Sequence, residues 1–503
     1  MDNLCRFYKD TICKKVKIVN NFSKIGFILA ALGSSIGLGH IWRFPYIAGT
    51  NGGSAFVLLY LFLALTIGIA MLIGEMLIGN KGGANAVKSY ENLDPNPAKR
   101  WRWAGLSLIG GPIILSFYSI VLGWVFYYLF VVSFSLPHNM ADSDAIFNAL
   151  YEKGFVPQLL GLLFVMGATA WIISRGVKKG IEALNLILTP LLFLIFFGLL
   201  LYAMSMPSFP KALNFMLNTD WAKDSIASLT LGDIAQAKQT LKQVFNLNVL
   251  IDSLGQVFFS LSLGIGIIIT YAASSAPNQN LLKSSLWVVL SGIVIAIMAG
   301  LMIFTLVYEY GGEVGSGTGL IFKTLPVMLS HLGIWGNIIA FLFFAAFSFA
   351  GITSTISLLE PAVMYVCETY KWSRAKATWT LTLAIVLLGI VIICSICTPA
   401  KDYLTFKSKS LMDIIDFLSA NVIMTLGGLV AVIFVGWVIP KTRLKEFSAS
   451  FFNNFGFSVW YFIVRYVAPF ITAIILIAVC VKFFTGQDVI SLLFEDAPDS
   501  LSQ

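Results

Sequence analysis

The sequence predicts an all-α integral membrane protein with about eleven transmembrane helices. Three observations lead there. Of 503 residues, 58% are hydrophobic and only 12% are charged, roughly half the charge that a water-soluble domain carries. The apolar residues gather in runs such as Phe56 to Ile73, Leu159 to Ile173 and Leu186 to Ala203, close to the ~20 residues a helix needs to cross the hydrocarbon. Lys and Arg fall in short segments between those runs, where charge sets membrane orientation.

Taken in order, the spans run from Lys24 to Thr50, Ser54 to Gly79, Ile109 to Ser135, Val156 to Ile173 and Ile181 to Met204. A long loop of mixed charge, Ser205 to about Asn248, follows. The later spans are Leu254 to Ser275, Leu286 to Tyr308, Trp335 to Cys367, Ala377 to Cys394, Leu411 to Val438 and Val459 to Phe484. A Gly-rich loop, Gly311 to Leu332, has a middle suited to a short helix.

Alternate loops are basic: the arm with Lys9, Lys14, Lys15 and Lys17, then Lys81, Lys88, Lys99, Arg100 and Arg102, then Arg175, Lys178 and Lys179, then Lys371, Arg374 and Lys376, then Lys441, Arg443 and Lys445. Asp142, Asp144 and Glu152 lie between them, and Glu495, Asp496 and Asp499 end the chain. This puts the N-terminus in the cytoplasm and the C-terminus outside a cell membrane. Lys401, Lys407 and Lys409 run against that pattern.

The net charge of +8 does not point to nucleic acid, because it is not gathered on one basic face. The six cysteines include a CxxC, Cys394 and Cys397, that has no second pair and ends an apolar span, so it reads as ordinary helix sequence. The spans hold no HExxH, paired acids or nucleophile motif, and an enzyme is not expected.

Two spans carry Gly and Ser at mid-depth. The first has Gly33-Ser34-Ser35-Ile36-Gly37-Leu38-Gly39-His40 and the sixth Ser260-Leu261-Ser262-Leu263-Gly264-Ile265-Gly266. Each alone would suit helix packing. Together, at matching positions of two halves, they point to broken helices around a transport site. An unwound segment exposes N–H and C=O groups that lipid cannot satisfy. An anionic substrate and a cation can.

Longer motifs carry a resemblance. Gly37-Leu38-Gly39-His40-Ile41-Trp42-Arg43-Phe44-Pro45-Tyr46, followed by Asn51-Gly52-Gly53-Ser54-Ala55-Phe56, resembles the signature of the neurotransmitter:sodium symporter family. Gly255-Gln256-Val257-Phe258-Phe259-Ser260-Leu261-Ser262, Ala350-Gly351-Ile352-Thr353-Ser354 and Asp413-Ile414-Ile415-Asp416-Phe417 resemble its sixth-, eighth- and tenth-helix motifs. The likeness runs from about Phe22 to Phe484 and is nearest to bacterial amino-acid carriers. It implies the five-plus-five inverted repeat of the leucine-transporter fold. The arm would be 1–23, the transporter domain 24–484 (repeats 24–204 and 250–438, extra helix 459–484) and the tail 485–503.

The resemblance also implies roles. The carbonyls of Gly33, Ile36 and Ala350 and the hydroxyls of Thr353 and Ser354 would hold Na⁺ at the family's second site. A substrate carboxylate would meet the N–H groups of Leu38 and Gly39 and the Tyr118 hydroxyl. Its ammonium would meet the carbonyls of Ser35, Phe259 and Ser260 and the Ser262 hydroxyl. Ile114, Phe259, Ile265, Ser354 and Leu358 would line an apolar side-chain pocket. Gly37 stands where monoamine carriers have Asp, so the substrate should bring its own carboxylate. Arg43 and Asp416 would form an outer gate, since charges at membrane depth mark pathways. Glu75 would accept hydrogen bonds from the loosened first and sixth helices, and Gly180 with Pro190 would ease unwinding of the fifth.

The sequence departs from the family at the first Na⁺ site, where His40 and Gly292 replace two Asn. Ala296 removes an anion position, although Tyr60 and Gln256 remain. The expectation is therefore one Na⁺ and no chloride. His40 either carries a proton in place of the first ion or, neutral, fills space and donates one hydrogen bond. At the inner gate Glu368 is present, but Ile18 and Asn21 occupy the places of Arg and Trp, leaving Lys17 or Lys24 as partners. The function implied is Na⁺-coupled symport of a small apolar amino acid, with the lipid bilayer as the other partner. The alternative is a receptor that binds an amino acid without moving it. Nothing in the sequence fixes the oligomeric state.

Overall fold

The protein is seen here as a computed structural model that describes residues 22–220, 247–312, 319–397, 403–404 and 410–485. The basic arm with Lys17, Ile18 and Asn21, the residues Lys401, Lys407 and Lys409, and the acidic tail lie outside those residues. All regular structure in the described residues is helical.

Among the described residues nine helices are long and apolar enough to cross a membrane uninterrupted. In chain order they are Ser54–Gly82, Arg100–Phe134, Phe155–Ser174, Val177–Met204, Leu281–Tyr310, Ile334–Tyr370, Arg374–Cys397, Leu411–Val438 and Asn454–Val481. They are the second to fifth and seventh to eleventh spans of the sequence reading. The first span is a bent pair, Lys24–Ser35 and Gly39–Thr50, at 48°. The sixth is divided into Leu247–Leu261 and Ile267–Ala273. Neither half alone could cross the ~30 Å hydrocarbon layer at 1.5 Å per residue. The eleven segments read from the sequence are therefore all present, two of them broken.

Burial sorts the helices. Within their apolar windows the third span is 78% buried and the eighth 72%, against 28% for the fifth and 33% for the eleventh. The third and eighth thus stand in the core, while the fifth and eleventh turn most of their surface to lipid, as exposed Leu194, Phe197 and Phe470 show. The third and fourth cross at Gly123 and Gly161, where a Cβ on Gly123 would come 3.0 Å from the Gly161 Cα. Small residues let membrane helices approach where no hydrophobic drive exists between them. The eighth and ninth are pinned by an ion pair between Arg374 and the buried Glu360, with Arg374 Nε donating to the Ile173 carbonyl at 2.7 Å.

Short helices lie where the sequence reading had only loops: Ala86–Leu93, Met140–Glu152, Phe209–Leu217 and Lys441–Ser448. Phe209–Leu217 illustrates why. Its apolar face acquires meaning only against the seventh span, where the Phe215 and Phe304 rings meet edge-on at 4.9 Å. The Gly-rich loop does contain a short helix, Leu320–Ser330.

Gly264, in the sixth-span break, has φ +83°, and a Cβ there would lie 1.9 Å from the Met424 carbonyl oxygen. Gly198, in the lipid-facing fifth span, has open space around it. Gly264→Ala is expected to lower stability by ~2 kcal/mol or more, from left-handed strain and the clash together. Gly198→Ala should change stability by less than ~1 kcal/mol, in the stabilising direction. Thermal unfolding of the purified variants in detergent would check both.

Candidate substrate and ion site

The first break begins after Ser35. In a continuous helix the Gly37 N–H would close on Gly33, but it bonds the Ser35 carbonyl at 3.1 Å instead. The His40 N–H bonds Gly37 at 3.2 Å rather than Ile36. The Gly33 and Ile36 carbonyls thereby lose their helical donors. In the sixth span Ser262, Gly264 and Gly266 all have positive φ. Ser262 is the unusual one, since a side chain in that region costs energy.

The two breaks face each other and are tied across. Ser262 Oγ donates to the Ser34 carbonyl at 3.1 Å, and Gln256 Nε2 donates to the Gly39 carbonyl at 2.7 Å. The Gly264 N–H donates to Glu75 Oε1 at 2.7 Å. The support expected from Glu75 thus reaches the sixth span; among the described residues no bond from the first span to Glu75 is found.

Between the breaks lies a cavity of ≈ 30 Å³. Its walls bring together Ser35, Leu38, Gly39, Ile114, Tyr118, Phe259, Ser262, Ile265, Ser354 and Leu358, ten positions drawn from the first, third, sixth and eighth spans. Ser260 is not among them. It is buried behind the wall, its hydroxyl 3.3 Å from Tyr60 Oη and donating to the Val257 carbonyl. Met424 of the tenth span also lines the cavity; nothing in its local sequence marks it. The Leu38 N–H donates to Tyr118 Oη at 3.2 Å, so a half-helix N-terminus and a phenol meet where an anion would be welcome. A Cβ on Gly37 would come within 2.3 Å of Ser354 Oγ and 2.9 Å of Tyr118 Oη. The geometry therefore has no room for an acidic side chain at that position.

Beside this cavity the first, fifth and eighth spans converge on a smaller gap lined by Gly33, Ile36, Thr189, Thr353 and neighbouring apolar side chains. Ser354 Oγ lies 3.5 Å from the Gly33 carbonyl, and Thr353 Oγ1 donates to the Ala350 carbonyl at 2.9 Å. Carbonyls and hydroxyls are the hard oxygen donors that suit a hard cation.

At the other predicted ion position the surroundings differ. His40 is fully buried, and a Cβ on Gly292 would lie 2.7 Å from His40 Nε2. The imidazole fills the space that Gly292 leaves, and neither ring nitrogen has a hydrogen-bond partner among the described residues.

Arg43 and Asp416 line one vestibule of ≈ 130 Å³ with Phe259, Tyr118 and Trp42, next to the cavity. No ion pair joins them among the described residues. The Arg43 guanidinium instead sits over the Phe259 ring, 4.9 Å from its centroid. The opposite end of the first span is closed by Phe22, which packs edge-on against Tyr271 at 5.5 Å and donates its N–H to the Ser274 carbonyl. Glu368 accepts from the backbone and side chain of Asn85 at 2.9 and 2.6 Å. Lys24 is exposed and does not reach it. Asn85 takes the place expected of Lys24 because it caps its own helix (Oδ1 accepts from the Lys88 N–H) and so already holds its N–H groups toward the eighth span. Gly180 contacts the end of the fourth span, where a Cβ would lie 2.1 Å from the Ile172 carbonyl. Pro190 sits inside an unbroken helix.

Comparisons with known proteins fit this geometry. The family model described as "Sodium:neurotransmitter symporter family" matches residues 20–154 and 145–491. The chain is 32% identical to the uncharacterized sodium-dependent transporter YhdH of Bacillus subtilis, over 89% of this chain and 94% of the relative. It is 23% identical to the sodium-dependent nutrient amino acid transporter 1 of Drosophila melanogaster over 82% of this chain and 69% of the relative. Among solved structures it resembles MhsT in complex with L-phenylalanine, with 33% identity and a TM-score of 0.78, covering 91% of this chain and 99% of that one. The chain has the leucine-transporter fold, is a membrane transporter rather than an enzyme, and belongs to the sodium:neurotransmitter symporter family.

Proposed function

We propose that the protein carries a small apolar L-amino acid into the cell with a single Na⁺ by alternating access. The observation that carries the reading is the contrast between the two ion positions. Around Gly33, Ile36, Ala350, Thr353 and Ser354 the oxygen donors remain in place. Around His40 the imidazole occupies the volume and Gly292 supplies no oxygen from a side chain. Ala296, four residues after Gly292 on the same helix and buried, adds no polar side chain for a chloride ion.

The substrate's carboxylate would take up the Leu38 and Gly39 N–H groups and displace the Tyr118 hydroxyl from its bond with Leu38. Its side chain would lie among Ile114, Phe259, Ile265 and Leu358, an apolar lining that rewards buried area and leaves a polar side chain unpaired. An amino acid also suits the likeness to MhsT bound to L-phenylalanine. Arg43 and Asp416 would close over the occupied site from the vestibule. The alternation of basic loops supports a cytoplasmic N-terminal end for the first span.

In proteoliposomes, uptake of labelled apolar amino acid should follow Na⁺ with a Hill coefficient of about one, since cooperativity cannot exceed the number of ion sites. The double variant His40→Asn with Gly292→Asn should move it toward about two. A coefficient clearly above one in the unaltered protein would reject the single-ion reading. A pH dependence that His40→Asn removes would assign charge balance to a proton. Binding without accumulation would favour a receptor.

A thermal-shift screen of the common amino acids with Na⁺ should show stabilisation by leucine-like side chains, ~2.7 kcal/mol at a hundredfold excess over Kd, and none by charged ones. Gly37→Asp should abolish both stabilisation and uptake, because its side chain meets Ser354 and Tyr118. Stabilisation by none of the amino acids would remove the pocket assignment.

A further inference from the structure

The eleventh span, Asn454–Val481, carries a single charged side chain, Arg465. A charge inside an apolar span is costly, so its surroundings call for an account. They are aromatic. The guanidinium carbon lies 4.4 Å from the ring centroid of Trp437, at the end of the tenth span, and 5.6 Å from those of Tyr461 and Tyr466. Trp437 and Tyr466 are 56% and 50% exposed, and Phe462, whose ring meets Tyr466 at 5.6 Å, is 57% exposed. The patch therefore opens outward, toward lipid, and its Trp and Tyr belong at headgroup level.

The arginine is framed from several sides. Trp437 Nε1 donates to the Arg465 carbonyl at 2.8 Å, Arg465 Nη1 donates to Tyr461 Oη, and Tyr461 Oη donates to the Gly436 carbonyl at 3.4 Å. Gly436 lets the two helices close, since a Cβ there would lie 2.9 Å from the Arg465 Cα. A second cation comes from the surface helix Lys441–Ser448. Lys441 Nζ lies 5.1 Å from the Tyr461 centroid, so the two cations flank one ring. Neither has a carboxylate partner among the described residues. Arg465 Nε has no hydrogen-bond partner there either. Neutral rings soften a positive charge without cancelling it.

We infer that Arg465 and Lys441, set around Trp437, Tyr461 and Tyr466, bind the phosphate of an anionic phospholipid at the seam between the tenth and eleventh spans. Charge and position together favour a lipid. The guanidinium fork fits a phosphate through two parallel bonds, and Lys441 adds a point charge on a flexible stem. The exposed rings offer an acyl chain an apolar edge, which a free ion could not use. An arginine that only reached for water would need neither the Trp437 bond nor a second cation. One headgroup then contacts both spans. The patch lies beside Arg443 and Lys445, in the loop that the charge alternation assigns to the cytoplasmic leaflet.

The test uses the full-length protein in an uncharged detergent, with phosphatidylglycerol added and native mass spectrometry counting bound lipid. The apparent Kd of the first phosphatidylglycerol should rise about tenfold in the double variant Arg465→Gln with Lys441→Gln, because each cation at an anionic headgroup counts for a few-fold. Lys441 is exposed. Lys441→Gln alone therefore leaves the packing intact and should raise the Kd about threefold, even where the double variant fails to fold. Arg175→Gln removes another exposed arginine, one that lies over Trp171. It should leave the Kd within about twofold, since it is no part of this patch. Phosphatidylcholine with the same chains, or millimolar inorganic phosphate, should not displace the bound lipid. Unchanged binding in the double variant or in Lys441→Gln would overturn the site. So would an equal loss in Arg175→Gln, displacement by phosphatidylcholine, or displacement by inorganic phosphate, the last by assigning the patch to a free ion.

Discussion

Two stretches of backbone that are not helical must exist inside a membrane core, and much of the central packing answers to that. Lipid offers no partner to a freed N–H or carbonyl, so each group exposed by the breaks needs a bond from elsewhere in the protein. Glu75 supplies one from the second span to Gly264, Gln256 supplies one to Gly39, and Ser262 bonds back to Ser34. These ties hold the two breaks face to face. The groups that have lost their helical partners near the cavities are met by side chains of the third and eighth spans: the Leu38 N–H by Tyr118 and the Gly33 carbonyl by Ser354. The site is the remainder of the hydrogen-bond accounting.

The helices around it divide the work. The third and eighth are continuous, deeply buried and anchored, the eighth through Glu360 and Arg374. They present Tyr118, Thr353 and Ser354 from fixed positions. The first, by contrast, touches its neighbours through glycine at Gly26, Gly33 and Gly37, close enough that a methyl group would collide. The two ends of the molecule also differ. Phe22 and Glu368 are tied down at one, while at the other Arg43 and Asp416 line a vestibule with no ion pair between them among the described residues. Alternating access asks for that asymmetry in one state and its reverse in the other.

His40 and Gly292 make one structural fact together. A histidine in place of a smaller ligand would not fit a crowded helix interface, and a glycine in place of a ligand would leave a hole. Placed opposite each other they fit, because the imidazole takes the room that a side chain at Gly292 would need.

By itself the sequence determined the membrane class, the order of the spans and the depth of both breaks, and its family resemblance supplied ten of the residues that line the central cavity. The first three are encoded locally, in run length, in charge between runs and in the paired Gly and Ser positions of two spans. Tertiary structure alone decided the rest. It put Ser260 behind the wall and Met424 in it, gave Glu368 to Asn85 instead of Lys24, and seated His40 against Gly292. Each of those outcomes depends on how one helix face is rotated against another, an angle set by packing over whole helices and carried by no single stretch of the chain.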